Sequence, residues 1–244
     1  LSADIDAIAP GEGGFACCCN PAGRVLALLL VMPEEDRTHL VVSAGLTEST
    51  QTWLARFVLR ADVQITARND LFVATAGAAD APSAAFGPVE PVNGLSYVLL
   101  DEPLPDLDTE HKGADLWKAA ELQSGVVWLD EASSGQFLPQ MLGFEGIGAL
   151  NFRKGCFPGQ EIIARTRYLG KLKRRPLVLH AGLEQPLPVM QKLSIGTAGE
   201  PVSGVLVDQA PDSAGGHWLF VVVRSADELE PQSLEVDGES LTLL

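Results

Sequence analysis

Residues 154–161 read Lys154-Gly155-Cys156-Phe157-Pro158-Gly159-Gln160-Glu161, a thiol flanked by glycines and close to a lysine. A Pro-Gly turn follows the thiol, and Gln160-Glu161-Ile162-Ile163-Ala164-Arg165 then has the composition of a helix. A helix that begins just after a cysteine aims unpaired backbone N–H groups, and the positive end of its dipole, at the sulfur. Lys154 and Arg165 add whole charges. This setting favours the thiolate near neutral pH, the form that exchanges with disulfides, holds a soft metal or meets an electrophilic carbon. Gly155 and Gly159 allow a tight turn or a close approach to a ligand where a Cβ would clash. The plain alternative for Cys156 is a structural thiol in that turn.

The charge around this motif is unlike the rest of the chain. Eight of the 17 Lys and Arg lie between Asn151 and Arg175, against the single acid Glu161, so the segment carries +7. The net charge is -15, which leaves -22 on the remainder. A cationic strip on an anionic body repels nucleic acid over most of its surface yet focuses an anion at one place. Broad RNA or DNA binding calls for a basic face interleaved with aromatics, and only Phe152, Phe157 and Tyr168 fall in the strip. The strip reads as a groove for a small polyanion or a docking edge for an acidic partner, or simply as a solvated surface.

The elements that must position these residues follow from hydropathy and turn residues. At 244 residues and 46% hydrophobic content, the chain suits a globular α+β protein of one large or two smaller domains. Phe15–Asn20 and Gly23–Met32 read as strands joined by the turn Asn20-Pro21-Ala22-Gly23, with His39–Ser43 as a third strand of a meander. Trp53, Leu54, Phe57 and Val58 predict one buried helix face. Strands are expected at Val63–Ala67, Leu71–Thr75 and Tyr97–Leu100, a loop over residues 76–91, and an acidic turn at Pro103–Asp108. Ala114–Gln123 predicts a helix carrying Trp117 on a different face from Leu116 and Ala120. From Leu177 onward, apolar segments at 177–180, 202–207, 218–223 and 241–244 alternate with Gly and Pro turns, which suggests a separate C-terminal β-barrel. The expected division is 1–172 and 173–244. The longest apolar run, Val25 to Met32, is eight residues and too short to span a membrane.

Other reactive side chains read more plainly. Cys17, Cys18 and Cys19 are adjacent and lack C-x-x-C spacing, so they predict small buried hydrophobes in a strand, alternating between its faces. So many unpaired thiols point to a reducing cytoplasm. His39, His111, His180 and His217 are dispersed without metal-ligand spacing. Trp117 is either core or a stacking platform for a flat heterocycle. The polar stretch Ser133-Ser134-Gly135-Gln136-Phe137-Leu138-Pro139-Gln140 could line a cleft.

The octapeptide at 154–161 resembles the K-G-C-[FY]-x-G-Q-E motif of the YgfZ/GcvT-like folate-binding family. Ala164-Arg165 and Gly170-Lys171 with the basic tail extend the likeness. So do Asp130, Ser133, Gly135-Gln136-Phe137 and Pro139-Gln140 before the cysteine, and Gly23-Arg24-Val25 near the start. Leu1-Ser2-Ala3-Asp4-Ile5 resembles the stretch just after the family's first helix, so the family's N-terminal segment, part of its folate pocket, precedes the matched region. The resemblance covers essentially the whole chain.

This resemblance implies an α+β, GcvT-like body around a central hole, with a C-terminal β-barrel. It implies tetrahydrofolate or a derivative as ligand, and iron–sulfur enzymes or their assembly proteins as partners, tRNA-thiolating enzymes among them. The role would be that of an accessory protein, not of a turnover enzyme, with tRNA involved indirectly and no membrane. By position Trp117 resembles the folate-contacting tryptophan and Cys156 the functional thiol, with Lys154 beside it. Residue chemistry adds Gln136 and Gln140 as amide partners for a pterin, and Arg165 and Arg167 as forked donors for a glutamate tail. Gln160 and Glu161 complete the candidate set, and no metal ligand is expected. Two other readings stand beside this one. An aminomethyltransferase-like enzyme would need a positioned carboxylate that the sequence does not locate. An RNA-binding module would rest on Lys171, Lys173, Arg174 and Arg175.

Overall fold

The computed structural model describes residues 1–60, 62–68, 71–75, 86–92, 94–100, 112–197, 199–224 and 230–243. Among the described residues there are three antiparallel sheets. The first contains β1 (Gly14–Cys19), β2 (Val25–Pro33) and β3 (Thr38–Val41) in the order β1-β2-β3. β2 is an almost unbroken apolar run because both of its faces are covered, and Leu28 through Met32 are all buried. The turn before it closes on Asn20, whose side-chain Oδ1 accepts the N–H groups of Ala22 and Arg24, each at 3.0 Å. Cys17, Cys18 and Cys19 are all buried in the main core, as expected of small hydrophobes in a strand.

The second sheet has the order β4-β6-β5, from β4 (Phe72–Thr75), β5 (Phe86–Val92) and β6 (Leu95–Leu100). The strand at 86–92 corrects the loop expected over 76–91, part of which (76–85) lies outside the described residues. Pairing with β6 absorbs its Gly and two Pro at register shifts, where missing ladder bonds are tolerated. Residues 63–67 form no strand among the described residues. The acidic turn at 103–108 and His111 lie outside the described residues. Helix α1 (Thr47–Ala55) is shorter than expected. Trp53 and Leu54 pack on the core, but Phe57 follows the helix and is 54% exposed, its ring edge against Trp53.

Helix α2 (Lys112–Gln123) follows the second sheet, and helix α3 (Gln160–Tyr168) follows the cysteine motif. Trp117 packs against the core while Leu116 of α2 is exposed, but Ala120 packs on that core as well, which corrects the expectation that Trp117 and Ala120 lie on different faces. The C-terminal strands are β7 (Arg175–Ala181), β8 (Lys192–Gly196), β9 (Val202–Pro211), β10 (His217–Val223), β11 (Ser233–Val236) and β12 (Glu239–Leu241). They form one six-stranded sheet ordered β12-β11-β8-β9-β10-β7. Its two edges approach at a single bridge, Ala181 to Leu243, supported by the Gly182 N–H donating to the Thr242 carbonyl at 2.9 Å. The expected barrel is therefore a curled sheet without a closed ladder among the described residues, because three-residue β12 offers too few groups to pair along β7. α2 lies across β9 and β10, which joins this sheet to the body. Among the described residues no helix is long and apolar enough to cross a membrane.

Candidate functional site

A cavity of about 770 Å³ opens where α2, the segment 128–130 and β9 meet. Trp117, Lys118 and Glu121 come from α2, Trp128, Leu129 and Asp130 from the segment after it, and Val207 and Asp208 from β9. Gly113 and Ala114 of α2 and Ser43, Val73 and Val189 complete the wall, so all three sheets border the space through their own residues or the loops beside them. The volume is that of a small-molecule site, with aromatic and aliphatic walls and a few polar groups.

The placement of these groups follows from local structure. Gly125 at φ +81° turns the chain sharply after α2, and the Val126 N–H returns to the Glu121 carbonyl at 2.9 Å. Trp128 is thereby brought back beside Glu121, and its Nε1 donates to Glu121 Oε1 at 2.9 Å. The Tyr97 hydroxyl donates to the same oxygen at 2.8 Å. Asp130 is fixed by a box with Ser133, accepting the Ser133 N–H at 2.8 Å and its hydroxyl at 2.7 Å on Oδ1. That box is pinned to β2, with the Gly135 N–H donating to Val25 O at 2.7 Å and the Val25 N–H donating to Phe137 O at 2.9 Å.

Two carboxylates on this wall are perturbed. Burial raises the Glu121 carboxyl above its ordinary range, while hydrogen bonding from Trp128, Tyr97 and Trp117 pulls the other way. Burial likewise raises Asp208, countered by Lys118, whose Nζ stands 2.6 Å from Asp208 Oδ1. The Gln209 N–H donates to that same oxygen at 2.8 Å, so Oδ2 takes neither bond. Neither Glu121 nor Asp208 was identified from sequence. A lone Glu in a helix and a lone Asp in a strand carry no signal of burial, and only the i, i+4 step from Trp117 to Glu121 on α2 could have hinted at a shared face.

The candidates named from sequence separate into two groups. Trp117 lines the cavity. Cys156, Lys154, Gln136, Gln140, Gln160, Glu161, Arg165 and Arg167 are not among its lining residues and gather instead around α3. Cys156 is exposed, four residues before α3. The Lys154 ammonium donates to the carbonyls of Leu1 at 2.8 Å and Ala3 at 3.0 Å, which ties the motif to the first residues of the chain. Gln140 is buried and supports α3, its Nε2 donating to Ile163 O at 2.7 Å. The Gln136 side chain is exposed, and its carbonyl accepts from Arg24 Nη1 at 2.8 Å. Arg165 reaches Glu161 across one helical turn at 3.8 Å. Arg167 pairs with Glu145 and lies 4.3 Å over the Phe152 ring. Burial pushes the Cys18 thiol up to about 12, and Cys19 is raised mainly by its hydrogen bond with Cys17.

His217 is buried with Nδ1 3.1 Å from Leu183 O, and His180 stacks on Trp218 at 4.5 Å. His39 Nε2 lies 2.5 Å from Glu34 Oε1. Among the described residues no three of His, Cys, Asp and Glu form a group able to hold a metal ion.

Comparison with known proteins supplies the context for this geometry. No family model matches the chain. It is 27% identical over 265 residues to a tRNA-modifying protein YgfZ of Klebsiella pneumoniae, covering 96% of this chain and 80% of the relative. A tRNA-modifying protein YgfZ of Colwellia psychrerythraea is 26% identical over 212 residues, covering 76% of this chain and 65% of that one. An uncharacterized protein of Haemophilus influenzae is 24% identical, covering 99% and 86%. Among solved structures, the glycine cleavage system aminomethyltransferase T from Bartonella henselae superposes with a TM-score of 0.59 at 14% identity, over 97% of this chain and 75% of that one. The architecture is thus GcvT-like, as the motif resemblance implied.

Proposed function

Starting from a chain that is similar to YgfZ proteins over most of its length and has a GcvT-like fold, we propose that this protein binds a reduced folate in the cavity beside α2. It serves as an accessory factor in the upkeep of iron–sulfur enzymes, tRNA-thiolating ones included, with Cys156 as its working thiol. The observation that carries the folate reading is the cavity itself: about 770 Å³, walled by Trp117 and Trp128 and bordered by Asp130 and Asp208. A flat pterin ring suits an aromatic wall, and its N–H donors suit carboxylate oxygens such as Asp208 Oδ2, which neither Lys118 nor Gln209 occupies. The carboxylates also disfavour a phosphate or a second carboxylate inside, so the anionic glutamate tail points outward. A bound reduced folate supplies a one-carbon unit or a reducing pterin ring. Because Cys156 is exposed and outside the cavity wall, its chemistry is directed at a partner on the surface of the molecule.

Titration calorimetry with 5-formyltetrahydrofolate tests the cavity. Binding in the micromolar range is expected, and Trp117→Ala weakens it about tenfold or more, the scale of a lost ring-stacking contact. Absence of binding up to millimolar ligand sinks the folate reading. For the thiol, Cys156→Ser is expected to abolish rescue of tRNA thiolation in a strain lacking such a factor while the protein melts as before. Full rescue by that variant removes the thiol from the function.

One observation favours a second reading, an aminomethyl-transferring enzyme: a buried carboxylate, Glu121, and a partly buried one, Asp208, border the cavity where such a reaction needs an acid or base. Formation of methylenetetrahydrofolate from an aminomethyl donor, lost in Asp208→Asn, would establish it.

A further inference from the structure

Four aromatic rings and one carboxylate form a cluster that includes the aromatic wall of the cavity and the rings packed behind it, and they come from separate parts of the chain. Phe15 is on β1, Tyr97 on β6, Trp117 on α2 and Trp128 on the segment after α2. Tyr97 stands edge-on to Trp117, with ring centres 5.4 Å apart and planes at 90°. Phe15 stands edge-on to Tyr97 at 6.1 Å and to Trp128 at 6.0 Å. Edge-to-face contacts of this kind leave each ring some freedom to rock, since their energies are modest and their angular minima broad. The buried carboxylate of Glu121 removes that freedom for two of them, because the Tyr97 hydroxyl and the Trp128 N–H converge on the single oxygen Oε1. Trp117 is held twice, by its own hydrogen bond to the Glu121 carboxylate and by the perpendicular contact with Tyr97.

A carboxylate buried to 5% exposure is an expensive choice for a merely structural role, and a packed Leu would fill the same volume more favourably. What the carboxylate provides and Leu cannot is an acceptor for several donors at once, which orients the rings that carry them. Trp128 and Trp117 are the aromatic part of the cavity wall, so their orientation sets the width and tilt of the face a flat ligand meets.

We infer that Glu121 is a positioning residue that locks Tyr97, Trp128 and Trp117 into a rigid wall, and that this wall restricts the cavity to flat, fused-ring ligands. The inference rests on the reading of the cavity as a folate site for its ligand arm, but not for its fluorescence arm. A substitution that keeps an acceptor should preserve the wall, and one that keeps only volume should loosen it.

The experiment compares Glu121→Gln, Glu121→Leu and Trp128→Phe, the last removing one donor alone. Acrylamide quenching is read in a background with Trp53→Phe and Trp218→Phe, so that only the two wall indoles emit. Quenching in Glu121→Gln is expected to match the parent, while Glu121→Leu shows quenching at least twofold stronger and a red-shifted emission. Affinity for 5-formyltetrahydrofolate should stay within about threefold in Glu121→Gln and fall tenfold or more in Glu121→Leu, with Trp128→Phe between them. If Glu121→Gln loses as much affinity as Glu121→Leu with unchanged quenching, the carboxylate acts on the ligand directly and the positioning role is overturned. Equal quenching in all variants overturns it as well. Should Glu121→Leu fail to fold, Trp128→Phe and Tyr97→Phe decide the matter, since each deletes one bond to Oε1 and leaves the charge in place. If the parent binds no folate, the folate reading fails, while the quenching comparison still decides the role of Glu121.

Discussion

Glu121 leaves a signature in stability as well as in binding. Its carboxyl is raised by burial, so the native chain keeps a proton that the unfolded chain releases between the ordinary carboxylate range and the raised value. The stability linked to that proton is full below the ordinary range and is lost as pH rises through the raised value. Asp208 acts in the same direction, moderated by Lys118. Glu121→Gln keeps the acceptor and removes the titration. Its melting temperature should therefore exceed that of the parent at pH 8 by more than it does at pH 4. A difference that does not change with pH would remove the buried charge from the account. The thiols make a second contrast at this scale. Cys156 is exposed while Cys17, Cys18 and Cys19 are buried, with Cys18 and Cys19 held protonated in their strand. A thiol-reactive chromophore should label one cysteine per native chain and four after denaturation, and Cys156→Ser should abolish the native signal. Labelling of more than one thiol in the native state would show that β1 is open to solvent.

Among the elements, α3 shows how tightly the cysteine motif is tied to the first hairpin. Gly159 caps α3 at φ +79°, and a Cβ placed there would come within 2.6 Å of both the Asn20 carbonyl and the Gly23 nitrogen. Neither backbone can retreat, because Asn20 and Gly23 form the turn that starts β2. Gly159→Ala combines a left-handed backbone with this clash and is expected to lower stability by about 2–4 kcal/mol in urea unfolding. Gly155→Ala, which meets nothing within 4 Å, should change it by less than about 1 kcal/mol. Equal effects would mean that the hairpin contact contributes little. This contact also explains what was legible beforehand. The Pro-Gly turn and the following helix could be read locally, and α2 and the first meander likewise. The pairing of Gly159 with Gly23 could not, because it joins residues 136 positions apart. The same holds for the cavity, since Glu121 and Asp208 look like surface acids until β9 is laid against α2. β8 and β11 were missed because their apolar residues are too few to stand out, with only Leu193 and Ile195 buried in β8 and Leu234 and Val236 in β11. Phe57 was misjudged as core because its spacing continued a helix that the chain ends at Ala55.

For the whole molecule, the question is whether the C-terminal sheet is a separate unit or part of one cooperative structure. β10 answers through its alternation. Phe220 and Val222 enter the main core with Phe15, Phe137 and Phe144, while Leu219, Val221 and Val223 enter a second core inside the curl of the sheet. β9 does the same, with Val207 and Ala210 on one side and Leu206 on the other. A strand whose two faces build two cores cannot lose one without exposing the other. The Lys118–Asp208 ion pair adds a polar tie between α2 and β9 at the edge of the cavity. Denaturant unfolding should therefore proceed in one transition, coincident by far-UV dichroism and tryptophan fluorescence. Phe220→Ala should lower stability by about 3–5 kcal/mol and Leu219→Ala by about 2–5 kcal/mol, each moving the whole curve although they face different cores. A biphasic curve in which Leu219→Ala shifts only one phase would show the sheet to be an independent domain, and the cavity, lined from both sides, would then be a joint between domains whose opening controls ligand entry.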